Sequence, residues 1–151
     1  MMALPEHAQL EHDEPGPDVR AFAIYPGFPT DLDKTGDYFT PARTAAVVLV
    51  GYACGTTPES LNPFINRVVK GGVPVFIISG EGTGSGGIPK LTYETQVAAV
   101  EAGATPLRDA DSTRMVEVVE HIRGIFHEGL RDQVLVDSVI AEYGSPEAST
   151  V

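Results

Sequence analysis

A chain of 151 residues buries about 70% of its unfolded surface in a single domain, so it needs no covalent or metal staple. Its lone cysteine, Cys54, rules out an internal disulfide, and the formal net charge of −11 argues against nucleic acid and anionic membranes as partners. No apolar run reaches the roughly 18 residues of a membrane-spanning helix, and the acidic, proline-bearing N-terminus is unlike a secretory signal, so a cytoplasmic protein is expected.

In chain order, residues 1–18 are polar and read as a tail or linker. His7 and His12 fall in that stretch as solvated residues, and no metal site is expected. Residues 19–25 predict a strand ended by Pro26-Gly27, because proline cannot continue a central ladder. Residues 28–43 fit either a short helix or an irregular crossover, anchored by Leu32, Tyr38 and Phe39 and stopped by Pro41. Residues 45–51 are a second strand, a continuous aliphatic run of the kind buried on both faces. The next helix has two candidate starts, Thr57-Pro58 and Asn62-Pro63, each an N-cap residue followed by proline. Leu61, Phe64, Ile65 and Val68 share one face of it, and Gly71-Gly72 closes it.

A third strand is predicted at 73–79, then a glycine-rich loop, then a helix over 91–102 with Val97 and Ala98 inward and Gly103 as its stop. Residues 104–107 suit a short fourth strand. Asp111 is placed to cap a helix running to about His127, with Met115, Val119, Ile122 and Phe126 on its apolar face. Val136, Val139, Ile140 and Tyr143 mark a last helix, stopped by Gly144 and Pro146. This alternation predicts an α/β fold: a three-layer open parallel sheet of three to four strands with helices on both faces. The domain spans 19–144, and 145–151 form a second tail.

Three loops leave carboxyl ends of strands, at Pro26-Gly27, at 51–57 and at 79–87, and a parallel sheet puts them on one edge, where ligands favour binding. Gly82-Thr83-Gly84-Ser85-Gly86-Gly87 spells G-x-G-x-x-G, but no helix opens within it and no acidic residue ends a second strand beyond it, so a nucleotide is not expected. Cys54 as a nucleophile needs a histidine base. His121 and His127 lie far along the chain on one helix, six apart and off register for a shared ligand face. Glu81 is the one carboxylate of the glycine-rich loop, and Asp109 suits turn and cap chemistry. No cofactor is implied.

Four segments in order carry a family resemblance. Gly51-Tyr52-Ala53-Cys54-Gly55-Thr56-Thr57-Pro58 resembles the Gly/Ser-Tyr-Gly-x-Gly-Asn-x-Pro segment of the C-terminal domain of the asparaginase/glutaminase family. Tyr25-Pro26-Gly27 resembles the end of that domain's first strand. Gly72-Val73-Pro74-Val75-Phe76-Ile77-Ile78-Ser79 resembles its Gly-Ile-Pro strand, and Tyr93-x-Thr95 with Glu101-Ala102-Gly103 and Asp109 its Tyr-x-Thr/Gly…Ala-Gly…Asp-Met-Thr run. The match is nearest to type I asparaginases. The family's nucleophilic Thr-Gly-Gly-Thr segment, with its Thr-Asp pair and lysine, belongs to an N-terminal domain and does not occur here. Thr56 stands where the family often has asparagine, Ala53 replaces a glycine, and Gly80-Glu81 replaces a Gln-Cys-type pair.

The resemblance implies the C-terminal domain of an asparaginase-like amidohydrolase, which converts asparagine to aspartate and ammonia, inactive as an isolated chain because the nucleophile-bearing domain is missing. Its alternative is a non-catalytic small amino-acid-binding or dimerisation module. A third class, a free-standing enzyme using Cys54 or loop carboxylates, is kept for test. The ligand set this implies is Gly51, Cys54, Gly55, Thr56, Thr57, Ser79 and Glu81, around asparagine, aspartate or glutamine. Amides of a helix start at Thr57-Pro58 would meet the carboxylate, Thr56 and Ser79 hydroxyls would flank it, and Glu81 would face the ammonium. The wide apolar arcs of the last two helices predict a homodimer or docking to an asparaginase N-terminal domain.

Overall fold

A computed structural model describes residues 16–25, 27–29, 38–80 and 87–147. Four strands, β1 (Asp18–Ala23), β2 (Thr44–Val50), β3 (Val75–Ser79) and β4 (Thr105–Asp111), form one sheet in the order β1-β2-β3-β4. Every neighbouring pair is parallel, with Val47 opposite Val75 and Val50 opposite Ile78 in the central pair. The three main strands lie within two residues of the predicted ones, because seven-residue β2 and five-residue β3 are buried throughout and read as unbroken aliphatic runs.

Side chains alternate across the sheet. Val47, Leu49, Val75 and Ile77 pack with Phe64, Ile65 and Val68 of α1 (Asn62–Lys70) and Ala99 of α2 (Glu94–Glu101). Val48, Val50, Phe76 and Ile78 pack with Val118, Ile122 and Ile125 of α3 (Met115–His127) and Leu135, Val139 and Tyr143 of α4 (Asp132–Tyr143). The result is three layers and two cores. Strands added in sequence order keep the crossover helices α1 and α2 on one face, and α3 and α4 cover the other after the last strand.

Several local expectations shift. The first helix starts at Asn62, the second of its candidate starts, after a 3₁₀ turn at Glu59–Leu61. Pro58 is extended, with ψ 140°. The second helix begins three residues later than predicted, because Gln96 Oε1 accepts from the N–H groups of Thr92 (2.6 Å) and Tyr93 (2.9 Å) and holds them outside the helix. Gln96 and Ala99 face inward, while Val97 and Ala98 are only half-buried. The fourth strand runs to Asp111, not 107. A register irregularity after Ile77 leaves Arg108 and Asp109 exposed between buried Leu107 and Ala110, so the strand lacks an apolar signature.

On α3 the buried line is Val118, Ile122 and Ile125, with Met115, Val119 and Phe126 at its margins. On α4 it is Leu135, Val139 and Tyr143, with Val136 marginal. The wide apolar arc is thus largely spent inside the domain; Val116 and Val134 remain exposed, at 69% and 58%. Within 28–43, residues 38–43 form turns, with Thr44 N–H donating to Thr40 O (2.8 Å) and buried Phe39 edge-on to Phe64 at 5.0 Å. Residues 30–37, including Leu32, lie outside the described residues.

Candidate ligand site at the carboxyl edge of the sheet

The parallel sheet delivers the ends of β1, β2 and β3 to one edge, and backbone hydrogen bonds stitch the segments beyond them together. Ile24 N–H donates to Val50 O (2.8 Å), and Gly51 N–H to Ile78 O (3.0 Å). The loop after β2 folds on itself: Tyr52 N–H donates to Thr56 O and Gly55 N–H to Tyr52 O, each at 2.8 Å, around a single 3₁₀ turn at Ala53–Gly55. Gly80 N–H, at the end of β3, donates to the same Tyr52 carbonyl (3.2 Å). The two loops approach so closely that a Cβ on Gly80 would lie 2.0 Å from Gly51 O, which only glycine allows.

Gly51, Gly55, Thr56 and Thr57, on the loop after β2, and Ser79, the last residue of β3, therefore stand at one edge. Ser79 is 1% exposed and Thr57 3%. Among the described residues the Thr57 hydroxyl is buried without a hydrogen-bond partner, a state that costs about 1–3 kcal/mol unless a partner binds. Thr56 is half-buried. Glu81 and the side chain of Cys54 lie outside the described residues, as do Pro26 and residues 82–86 of the glycine-rich loop.

The expected helix start at Thr57-Pro58 does not exist. Thr56 and Pro58 are extended, and α1 opens only at Asn62, so its amides do not belong to the Thr57-Pro58 dipeptide.

Asp111 joins this edge although its sequence position suggests only a helix cap. It lies opposite Ser79 in the β3–β4 register and is 1% exposed. Its Oδ1 accepts from Thr113 N–H (2.9 Å) and from the Thr113 hydroxyl, which is the capping role expected of it. Its burial is hidden from a sequence reading because nothing apolar marks the continuation of β4 past Leu107 through Arg108 and Asp109. Asp109 does no capping; it is exposed on β4 and paired with Arg108 at 3.0 Å, whose guanidinium holds its carboxyl below the usual range. His121 stands edge-on to Tyr143, 5.5 Å between ring centroids, and His127 ends α3 at the surface. Among the described residues no group of three or more His, Cys, Asp or Glu is arranged to hold a metal, and no helix is long and apolar enough to cross a membrane. Two cavities, of about 300 and 370 Å³, lie at the opposite, amino edge, sharing Gly72, Pro74 and Asp132.

The carboxyl edge thus offers hydroxyls, one buried carboxylate and glycine backbone, on a fold of the open parallel α/β class. Solved structures share that fold. No family model and no curated protein sequence matches the chain. The fold is similar to L-asparaginase I from Vibrio cholerae O1 biovar eltor str. N16961, with a TM-score of 0.65 and 16% identity over 83% of this chain and 37% of that one. It is also similar to the thermostable L-asparaginase from Thermococcus kodakarensis, with a TM-score of 0.66 and 21% identity over 88% of this chain and 39% of that one. The chain spans well under half the length of both.

Proposed function

We propose that this chain is the C-terminal-type domain of an asparaginase-like amidohydrolase and does not hydrolyse asparagine or glutamine by itself. The observation that carries the reading is the fold match, most of this chain against little more than a third of two asparaginase chains, joined to the four ordered sequence segments. Amide hydrolysis needs an activated nucleophile, a base and oxyanion donors. The 151 residues contain no Thr-Gly-Gly-Thr segment to supply the first. In this reading residues 51–57 and Ser79 bind a small amino acid, with Asp111 close by on the next strand. Asparagine, aspartate and glutamine are the ligands to try. The partner is a second copy or an asparaginase-type N-terminal domain.

A second reading is a non-catalytic amino-acid-binding or dimerisation module. The Thr57 hydroxyl at the loop after β2, buried with no partner among the described residues, supports a binding role in either case. Ammonia release from asparagine and glutamine by the purified chain tests the first claim, and none is expected. Turnover that survives purification and is lost in Cys54→Ala would replace both readings with a free-standing enzyme.

A further inference from the structure

We infer that residues 144–147 are a strap that fixes the shape of the loop after β2, using Ile88 as its lever. After α4 ends at Tyr143, Gly144 O accepts from Arg108 N–H of β4 at 3.0 Å. Three residues on, Glu147 N–H donates to Pro89 O (2.9 Å) and Glu147 O accepts from Leu91 N–H (3.2 Å). These bonds form a parallel bridge between Lys90 and Glu147, outside the named strands. The residues that lead out of the glycine-rich loop are therefore held by the end of the described chain.

Ile88 sits two residues before Lys90 of this bridge. Its N–H points at Leu107 O (3.2 Å) and Arg108 O (3.0 Å), and its side chain is 1% exposed. That side chain fills the space beside Gly55. A Cβ on Gly55 would lie 2.2 Å from Ile88 Cδ1, and Gly55 has φ +77°. Gly55 N–H closes the 3₁₀ turn on Tyr52 O, the same carbonyl that receives Gly80 N–H. The path from the strap to the loop is continuous: Glu147, Pro89, Ile88, Gly55, Tyr52, Gly80.

The strap is anchored independently at its other end. Tyr143 is 1% exposed, and its hydroxyl donates to Glu117 at 3.0 Å. Releasing Glu147 therefore leaves α4 docked while freeing residues 89–91. Regions held by a few solvent-accessible backbone bonds open locally, far more often than buried strands do. The coupling runs through backbone hydrogen bonds and the Ile88 side chain and stands whether or not the loop takes a ligand; only its use as control over a site rests on the function proposed above.

The test is amide hydrogen exchange on the full chain and on Glu147→Pro, which removes the N–H that Pro89 O accepts. Exchange at Leu91, Ile88 and Gly55 is expected to quicken at least tenfold, with Leu49 and Ile77 of the sheet unchanged within twofold. Ile88→Ala should quicken Gly55 and leave Leu91 protected. Quickened Leu91 with unchanged Gly55 in Glu147→Pro would overturn the inference, as would equal acceleration at Leu49 and Ile77, which would make the segment a general stabiliser.

Discussion

Gly80 shows how tightly single residues constrain the carboxyl edge. Its missing Cβ is what lets the end of β3 lie against the Gly51 carbonyl. Gly80→Ala forces backbone to move and should destabilise by more than about 1 kcal/mol, the upper end of ordinary glycine effects, since the native conformation cannot accept a methyl group. Urea denaturation measures it, and a change under a few tenths would mean that the loops yield freely. Asp18 gives a residue-scale pH dependence. Arg123, at 2.8 Å, lowers its pKa below the ordinary 3.8, against a smaller opposing effect of burial. A depressed carboxylate adds stability above its unfolded pKa and loses it as pH falls through the folded one. Asp18→Asn should therefore be less stable than the parent at neutral pH, by under about 1 kcal/mol because the pair is partly exposed. The two stability curves should begin to converge near pH 3.8 and meet below the lower folded pKa. A gap that persists there would assign the loss to packing.

Elements are legible in the sequence in proportion to how completely they are buried. β2 and β3, buried on both faces, announce themselves as aliphatic runs, and the face of α1 follows from Leu61, Phe64, Ile65 and Val68. The first half of β4 is legible at 104–107, and its continuation to Asp111 hides because Arg108 and Asp109 interrupt it. The start of α2 hides because Gln96, a good helix former, spends its side chain on the two amides at Thr92 and Tyr93. Gln96→Ala should cost about 1 kcal/mol, the usual worth of a helix cap, and loosen exchange at Thr92 and Tyr93; an unchanged melting temperature would contradict that role. For the candidate site, the strand-glycine junction at Gly51 is readable from sequence. The burial of Asp111 is not, because it depends on β4's register against Ser79. Periodicity alone misses part of the buried lines of α3 and α4, Val118 and Leu135 among them, since each helix packs on both the sheet and the other helix of its layer.

At the scale of the molecule, the carboxyl edge of the sheet gathers the loops proposed to bind a small amino acid, and the helical layers are largely satisfied by their own cores. Self-association is therefore asked of a surface where Val116 and Val134 are among the exposed apolar side chains. Light scattering at micromolar concentration should report a dimer, or a complex once an asparaginase N-terminal half is added; a strict monomer in both conditions would remove the proposed partner. The most direct measurement of the central claim is a titration of the chain with asparagine, aspartate and glutamine, watched by amide chemical shifts. Residues 51–57 and Ser79 are expected to move first and to saturate together with at least one of the three. Shifts confined to the helices, or none at millimolar ligand, would contradict it.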